Sequence, residues 1–286
     1  MSKYIHGSVV TGYGIASNNR GEGDGSNLAP LQTVNFNEEE WTTVSAEAIR
    51  FGLRRYIAEV LGRTVRREFD SVSCITNEKV AGANEITYWD DDLFGYMVTE
   101  AKSEEENGGS KIRKSALDVE RAISLTPYTG DVVFNATSDP KDGGKGKTSL
   151  YSAEVHTTAY RYGFSLNPRH LVHPKMVGDV LRAINGIGRV GGNHSRNLFD
   201  FSPAAIILRV SHEPAPRILK AITADGGSGY RYDGLVSLVK NGSVPAEELH
   251  VSVTDKQVQE ILRQLGAHVY GSPTSAVEAV SRINLG

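Results

Sequence analysis

The sequence is poor in the features that mark several specialised classes of protein. Its 286 residues include a single cysteine, Cys74, so the chain has no internal disulfide and suits a reducing compartment. No apolar run approaches the roughly 20 residues that cross a membrane as a helix. The first residues also lack the apolar core of a secretory signal. We therefore expect a cytoplasmic protein without membrane contact.

Composition and charge indicate a globular protein but do not identify its partner. Hydrophobic residues make up 39% of the chain and charged residues 23%, and the length allows one large domain or two ordinary ones. The formal net charge of −3 argues at first against nucleic acid, although such binding depends on local basic surface. Residues 50–67 contain six arginines and one glutamate. Ordinary solvated faces would give the same pattern, so charge alone does not decide.

A glycine-rich polar loop leads into a helix that carries arginines along one side. Residues 17–35 are predicted to be loop, and every residue from 17 to 27 is polar or glycine. Ser45 has the chemistry of an N-cap, and Arg50 and Arg54, four residues apart, share a face of the helix that follows. Glycine lets a backbone approach a ligand closely, a helix start favours anions, and guanidinium fits phosphate. The segment therefore predicts nucleic-acid binding without a catalytic group.

The order of predicted elements indicates an α+β fold. Strands are predicted from β-branched and aromatic residues, and helices from apolar residues at helical spacing. In chain order these elements are a strand at 4–15, a helix at 45–62, a strand at 69–77, a strand at 152–166, a helix at 174–185 and a strand at 203–211. This is the β-α-β-β-α-β order of a ferredoxin-like core, split by an insertion over residues 78–128.

Two further regions lie outside this core. Between a short strand at 131–134 and the strand at 152–166, residues 135–149 are polar and glycine-rich, which predicts an exposed hairpin tip. The C-terminal region predicts helices at 231–240, 255–265 and 274–283 and a strand at 249–253.

Several motifs that resemble catalytic or phosphate-binding sites lack the required context. Gly186, Gly188 and Gly191 match the dinucleotide fingerprint in spacing, yet they follow a predicted helix instead of a strand. The eight histidines show no metal-ligand spacing, so we expect neither a metal nor a cofactor. The acidic run at residues 90–92 either binds a cation or forms a solvated face, and the second is the usual case.

His194 is the best candidate for a catalytic group. It lies beside glycines and Arg196, and histidine commonly serves as a general acid or base. A histidine that stacks on nucleic acid, forms a hydrogen bond to it or orders its own loop fits the same pattern. We favour this second interpretation, because the sequence indicates no further acid or base beside His194.

Four segments together resemble a known family. They contain the sequence Gly-Ser-Val-Val-Thr-Gly-Tyr-Gly-Ile-Ala-Ser-Asn-Asn-Arg-Gly-Glu, then Thr-Val-Ser-Ala-Glu-Ala-Ile-Arg, Val-His-Thr-Thr-Ala-Tyr-Arg-Tyr-Gly and Gly-Asn-His-Ser-Arg-Asn-Leu-Phe-Asp-Phe-Ser-Pro, at residues 7–22, 43–50, 155–163 and 192–203. The chain resembles the backbone subunit of type I CRISPR effector complexes (Cascade), in the DevR-type branch associated with subtype I-B.

This resemblance implies an architecture and a set of partners. Family members have an RRM-like palm, an inserted fingers region and an extended thumb hairpin. By chain order the palm is expected at residues 1–62 and 154–230, the fingers at 63–130, the thumb at 131–153 and a C-terminal α/β extension at 231–286. Many copies stack head to tail along one CRISPR RNA, together with other Cascade subunits, and the guide then pairs with target DNA. The expected function is non-catalytic.

The residues and the resemblance together give a predicted site. The residues expected to bind RNA are Asn18, Asn19, Arg20, Gly21, Ser45, Arg50, Arg54, Gly192, Asn193, His194 and Arg196, and those expected to act in the thumb are Lys141, Lys145 and Lys147. Two alternative functions are a metal-independent CRISPR endoribonuclease that uses His194 and an autoregulator of its own operon. The regulator lacks support from the sequence, which shows no helix-turn-helix candidate.

Overall fold

The chain folds as a mixed α+β protein, and the computed structural model describes residues 3–18, 28–67, 88–99, 110–138, 148–191 and 197–285. The strands are β1 (Tyr4–Thr11), β2 (Gly14–Ala16), β3 (Leu28–Ala29), β4 (Thr33–Phe36), β5 (Glu39–Val44), β6 (Tyr96–Thr99), β7 (Ser110–Arg113), β8 (Leu117–Val119), β9 (Ala122–Ser124), β10 (Asp131–Ser138), β11 (Thr148–Thr158), β12 (Tyr160–Leu166), β13 (Pro203–Ser211), β14 (Thr223–Ala224), β15 (Tyr230–Arg231), β16 (Leu249–Ser252) and β17 (His268–Val269). The helices with described bounds are α1 (Ala46–Glu59), α2 (Trp89–Phe94), α3 (Met176–Gly186), α4 (Asp233–Lys240), α5 (Lys256–Gln264) and α6 (Pro273–Ser281). In the described part of the chain, no helix is long and apolar enough to cross a membrane.

A nine-stranded sheet forms the centre of the fold, and β1 lies in its interior. Its strands follow the order β17-β16-β13-β1-β12-β9-β5-β4, and β8 also pairs with β12. β1 is antiparallel to both neighbours, with Ile5 opposite Leu166 on β12 and Val210 on β13. Seven of the eight residues of β1 are buried, so both faces of the sheet are covered at this strand.

Successive residues of the central strands pack into two separate cores. Val9 and its cross-strand partner Ile206 belong to a core that also contains the buried residues of α1, α3 and α6. Val10 and Ile207 point to the opposite face and belong to a core shared with α4 and α5. Helices therefore cover the sheet on both sides, and the C-terminal region supplies most of the second core.

The start and packing of α1 follow from local sequence. The Ser45 hydroxyl accepts a hydrogen bond from the Ala48 N–H at 3.2 Å, which confirms the predicted N-cap. At the end of α3, a β-carbon on Gly186 would lie 2.4 Å from the ring of Tyr56 in α1, so glycine permits this close helix packing. The buried stripe of α1 includes Ile49, Leu53 and Ile57.

Two strands predicted as continuous are broken where they leave the main sheet. The strand predicted at 4–15 is β1 followed by β2, and the strand predicted at 152–166 is β11 followed by β12. β1 pairs with β12 in the main sheet, whereas β2 pairs with β11 in a second sheet. At the break, the Thr11 hydroxyl accepts a hydrogen bond from the Tyr160 N–H at 2.9 Å. The prediction of two continuous strands was wrong, because a change of pairing partner leaves no local signal in the sequence.

The loop predicted at 17–35 contains β3 and most of β4, which is also a correction. β4 and β5 form an antiparallel hairpin at one edge of the main sheet. Asn37 and Glu38 close it with φ values of 52° and 64°, as in a type I′ turn. The alternation that normally reveals a strand is weak here, because β4 lies at an edge and Phe36 is exposed.

A second hairpin is longer than its sequence predicts. β10 and β11 pair continuously from Asp131 opposite Val155 to Ser138 opposite Thr148. Residues 135–138 and 148–149 of the polar tip predicted at 135–149 are therefore strand, since backbone pairing tolerates polar side chains, and residues 139–147 lie outside the described residues. Lys141, Lys145 and Lys147 lie outside the described residues.

The remaining predictions of secondary structure have three different outcomes. The predicted C-terminal elements are confirmed as α4, β16, α5 and α6. The strand predicted at 69–77 lies outside the described residues. β8 and β9 fall within the predicted insertion at 78–128, yet both pair with β12 in the main sheet. Part of that segment therefore belongs to the central sheet.

Three consecutive aspartates in α2 hold the insertion against the core. All three are buried, and each pairs with an arginine from a different part of the chain: Asp90 with Arg54, Asp91 with Arg66 and Asp92 with Arg113. Asp92 also accepts hydrogen bonds from the backbone N–H groups of Val172 and His173. The interpretation of residues 90–92 as a solvated face was wrong, because the partners that bury them are distant in sequence. In the described residues, no group of three or more His, Cys, Asp or Glu side chains is arranged to hold a metal ion.

We predict that Asp92→Asn lowers the free energy of unfolding by about 3 kcal/mol, because it leaves the Arg113 guanidinium without its buried counter-charge. Asp118→Asn, on an exposed position of β8, is the matched control and should change stability by less than about 0.5 kcal/mol. Urea denaturation of both variants measures the difference. Equal stabilities would show that the Asp92 pair does not hold the insertion.

Candidate nucleic-acid interface

Asn18 joins three segments of the chain at one point. It follows β2, it is buried, and its Nδ2 donates a hydrogen bond to the Thr43 carbonyl in β5 at 3.1 Å. Gly191, which follows α3, lies against the same side chain, because a β-carbon there would sit 2.2 Å from Asn18 Oδ1. The Gly191 φ of 79° also favours glycine. We call the contact of Asn18, Thr43 and Gly191 the loop junction.

The loop junction brings together the starts of both predicted RNA-binding loops. One begins directly after Asn18, and the other begins directly after Gly191. The residues of these loops, namely Asn19, Arg20, Gly21, Gly192, Asn193, His194 and Arg196, lie outside the described residues. Their roles therefore stay predictions, while the two segments that lead into them share one location.

The start of α1 is close to the loop junction, because Ser45 is two residues after Thr43. Ser45 follows Thr43 closely, is 4% exposed and uses its hydroxyl as the N-cap. Arg121 Nη1 donates a hydrogen bond to the Thr43 hydroxyl at 3.2 Å, which adds a cation beside the loop junction. Sequence reasoning missed Arg121, because only the pairing of β5 with β9 brings it near Thr43.

Arg50 and Arg54 differ in their surroundings although they were predicted to act together. Arg54 Nε donates to Asp90 at 2.9 Å, its side chain is 12% exposed, and its guanidinium lies over the Phe94 ring. Burial lowers the pKa of Arg54, and the Asp90 carboxylate opposes that shift. This arginine therefore has partners within the chain, and its contact with RNA remains only a prediction.

Arg50 differs from Arg54 in the hydrogen bonding of its guanidinium. Its Nε is buried and has no hydrogen-bond partner among the residues that the structure describes. A buried donor without an acceptor costs about 1–3 kcal/mol. A phosphate oxygen that reached this guanidinium would supply both the acceptor and the opposite charge.

A buried polar network supports the strand that carries Thr43. The Thr42 hydroxyl lies 2.8 Å from His156 Nδ1 and 2.9 Å from the Tyr160 hydroxyl, and the Thr126 hydroxyl lies 3.2 Å from His156 Nε2. Burial lowers the pKa of His156 and raises the pKa of Tyr160 to about 12, so both are uncharged at neutral pH. These groups connect β5 to the base of the β10–β11 hairpin. They position backbone and carry no free acid or base.

Comparisons with known proteins identify the family of the chain. A family model described as "CRISPR-associated negative auto-regulator DevR/Csa2" matches residues 14–260. The "CRISPR-associated protein Cas7/Cst2/DevR" of Myxococcus xanthus (strain DK1622) is 42% identical over 262 residues, which cover 87% of this chain and 86% of the relative.

Solved structures show the same fold at lower identity. A chain described as "CRISPR RNA-guided surveillance complex" superposes with a TM-score of 0.60 at 19% identity, over 97% of this chain and 98% of that one. A chain of "CRISPR RNA-guided surveillance complex, pre-nicking" gives 0.65 at 15% identity, over 97% and 99%.

The fold is thus the one found in chains of CRISPR RNA-guided surveillance complexes. More specifically, the chain belongs to the CRISPR-associated DevR/Csa2 family. This confirms the resemblance that the four sequence segments indicated.

We predict that Gly191→Ala lowers the free energy of unfolding by about 1–3 kcal/mol, because it strains a positive φ and displaces Asn18. Gly188→Ala is the matched control, since its β-carbon would meet nothing within 4 Å. Thermal or urea denaturation measures both. A double-mutant cycle with Asn18→Ala should show non-additive losses, and strictly additive losses would contradict the contact.

Proposed function

We propose that the chain is a non-catalytic, RNA-binding backbone subunit of a type I, I-B-like CRISPR surveillance complex. It holds the guide RNA by its phosphates and sugars and leaves the bases free to pair with target DNA. The observation that carries the proposal is the loop junction, where Asn18 joins the described segments that lead into the two glycine-rich loops, beside the start of α1. Membership of the DevR/Csa2 family supports it.

The chemistry of the junction suits a backbone ligand. Backbone N–H groups at glycines and at a helix start attract phosphate whatever the base sequence. Arg50 adds a guanidinium whose Nε lacks an acceptor in the described residues, and Arg121 adds a second cation near Thr43. A subunit that must accept any guide needs contacts of this kind and no base-specific ones.

The central sheet supports the division into palm, fingers and thumb. Other elements lie between them along the chain, but β1, α1, β9, β12, α3 and β13 occur in the β-α-β-β-α-β order expected of an RRM-like palm. We assign residues 1–62 and 154–230 to this palm, 131–153 to the thumb and 231–286 to a C-terminal extension. Because β8 and β9 pair with β12, the fingers at 63–130 exclude these two strands.

In this proposal, copies of the chain stack head to tail along the RNA beside other subunits of the complex. A contact between two different faces of one chain does not close on itself, so it produces an open filament. The β10–β11 hairpin exposes Val132, Phe134 and Leu150, which suits a thumb that reaches beyond its own subunit. The lysines at its tip would add contacts to phosphate.

We predict that Arg50→Glu weakens the binding of guide RNAs of unrelated sequence by about tenfold or more, equally for each, and lowers the slope of log affinity against log salt by about 1. Arg55→Glu is the matched control in the same helix, since Arg55 is exposed and pairs with Glu59. Filter binding at several salt concentrations measures both variants. A loss limited to one guide sequence, or salt-independent binding by the unmutated protein, would contradict phosphate contact.

We further predict that the purified protein protects long RNA from nuclease at regular intervals and leaves the RNA itself uncut. Stacked copies with equal footprints give a ladder whose spacing is set by one subunit. Gel analysis of RNA recovered after nuclease digestion, with an undigested sample as control, measures both properties. Irregular protection, or cleavage by the protein alone, would overturn the proposed function.

A further inference from the structure

The β4–β5 hairpin presents an acidic and aromatic tip. Glu38 lies in its turn, and Glu39 and Glu40 are the first residues of β5. All three are exposed, and no ion pair or hydrogen bond engages their carboxylates within the described part of the chain. Phe36, beside them, is 65% exposed. We call residues 36–40 the acidic tip. An exposed phenylalanine beside three unpaired glutamates is poorly suited to RNA and suits a basic protein surface with an apolar floor.

A pocket of the opposite character lies at the start of α3. It has a volume of about 490 Å³, and its lining includes Arg63, Lys175 and Arg182 together with a single carboxylate, Asp179. Asp179 is fully buried and pairs with Arg63 at 2.8 Å and with Arg182. Three cations therefore face one carboxylate, which leaves an excess of positive charge. We call this cavity the basic pocket.

The basic pocket also has an apolar wall. Val177, Ile283 and Leu285 contribute to its lining, and the guanidinium of Arg63 lies over the Trp89 ring 4.5 Å from its centroid. The pocket thus combines cations with a surface that an aromatic side chain can contact. This combination matches the composition of the acidic tip.

Strand register puts the tip and the pocket at opposite ends of the main sheet. The pocket lies at the beginning of β1, because the Lys3 N–H donates to the Leu285 carbonyl at 2.9 Å. The tip lies beyond the end of β1. Register pairs connect Val10 of β1, Arg161 of β12, Ile123 of β9 and Thr43 of β5 across four neighbouring strands. β5 runs antiparallel to β1, so the start of β5, where the tip lies, extends past the last residues of β1.

We propose that the acidic tip of one copy docks into the basic pocket of the next copy. The inference rests on the proposed function, because it identifies the contact that joins stacked subunits. Complementary faces at opposite ends of one chain make a heterologous interface, which propagates without closing. The occupant is a second copy because this chain itself carries a tip whose charge and aromatic group complement the pocket.

The test uses two variants that reverse the charge of each face. Glu38→Lys with Glu39→Lys changes the tip, and Lys175→Glu with Arg182→Gln changes the pocket while the Arg63–Asp179 pair remains. Sedimentation measures assembly on long polyuridylate, and filter binding measures the affinity of single copies for a polyuridylate too short for two. Glu247→Lys with Lys220→Glu, both exposed, is the matched control.

Each variant alone should need about tenfold or more protein to assemble, because like charges then face each other, while its affinity for short RNA stays near that of the parent. An equal mixture of the two variants should assemble again, since each reversed face then meets an opposite charge. This recovery also shows that both variants are folded. The control should assemble as the parent does.

Four other outcomes would overturn the stacking or the docking. A parent protein that binds RNA but never assembles beyond one copy overturns the proposed stacking itself. If the parent assembles and the variants assemble equally well, the docking of tip into pocket is overturned and the stacking stays intact. The same conclusion follows if assembly does not recover when the two variants are mixed. A pocket variant that loses affinity for short RNA shows that the pocket binds phosphate, which also overturns the docking.

Discussion

Three adjacent buried carboxylates hold the inserted segment to the rest of the molecule. Asp90, Asp91 and Asp92 each pair with an arginine from a different part of the chain, and Asp92 also binds the backbone ahead of α3. Removing one partner of such a pair leaves an uncompensated buried charge, which costs several kcal/mol. The triplet therefore connects α1, α2 and the approach to α3.

The same pairing bears on the contrast between a net negative chain and the proposed RNA ligand. The formal charge of −3 counts every acid equally, wherever it lies in the fold. Those at 90–92 are neutralised inside the protein, and those at 38–40 are gathered on an exposed hairpin. Arg50, in α1, has a buried Nε without a hydrogen-bond partner among the described residues. Local potential, which governs nucleic-acid binding, thus differs from the sum over the chain.

Local signals predicted the elements that depend on local sequence. The helix that begins after Ser45, the helix before Gly186 and the C-terminal elements follow from caps and apolar spacing, and the structure contains them. The breaks after Thr11 and before Tyr160 could not be predicted from sequence. They occur where both chain segments leave the main sheet at the same place and pair with each other in the second sheet. The β4–β5 hairpin was also not predicted, because an edge strand with exposed apolar side chains lacks the usual alternation of apolar and polar residues.

The sequence by itself determined the family resemblance, the glycine-rich loops and the capped helix, since each depends on residue type at short spacing. Only the tertiary structure decided which predicted residues meet and which have other partners. Arg50 and Arg54 have the same chemistry and share a helix, yet Arg54 pairs with Asp90, whereas Arg50 Nε has no hydrogen-bond partner among the described residues. Likewise, Asn18 and Gly191 are far apart in sequence and touch in the fold. Burial and ion pairing depend on which residues are close in space, so they cannot be predicted from the spacing of residues along the chain.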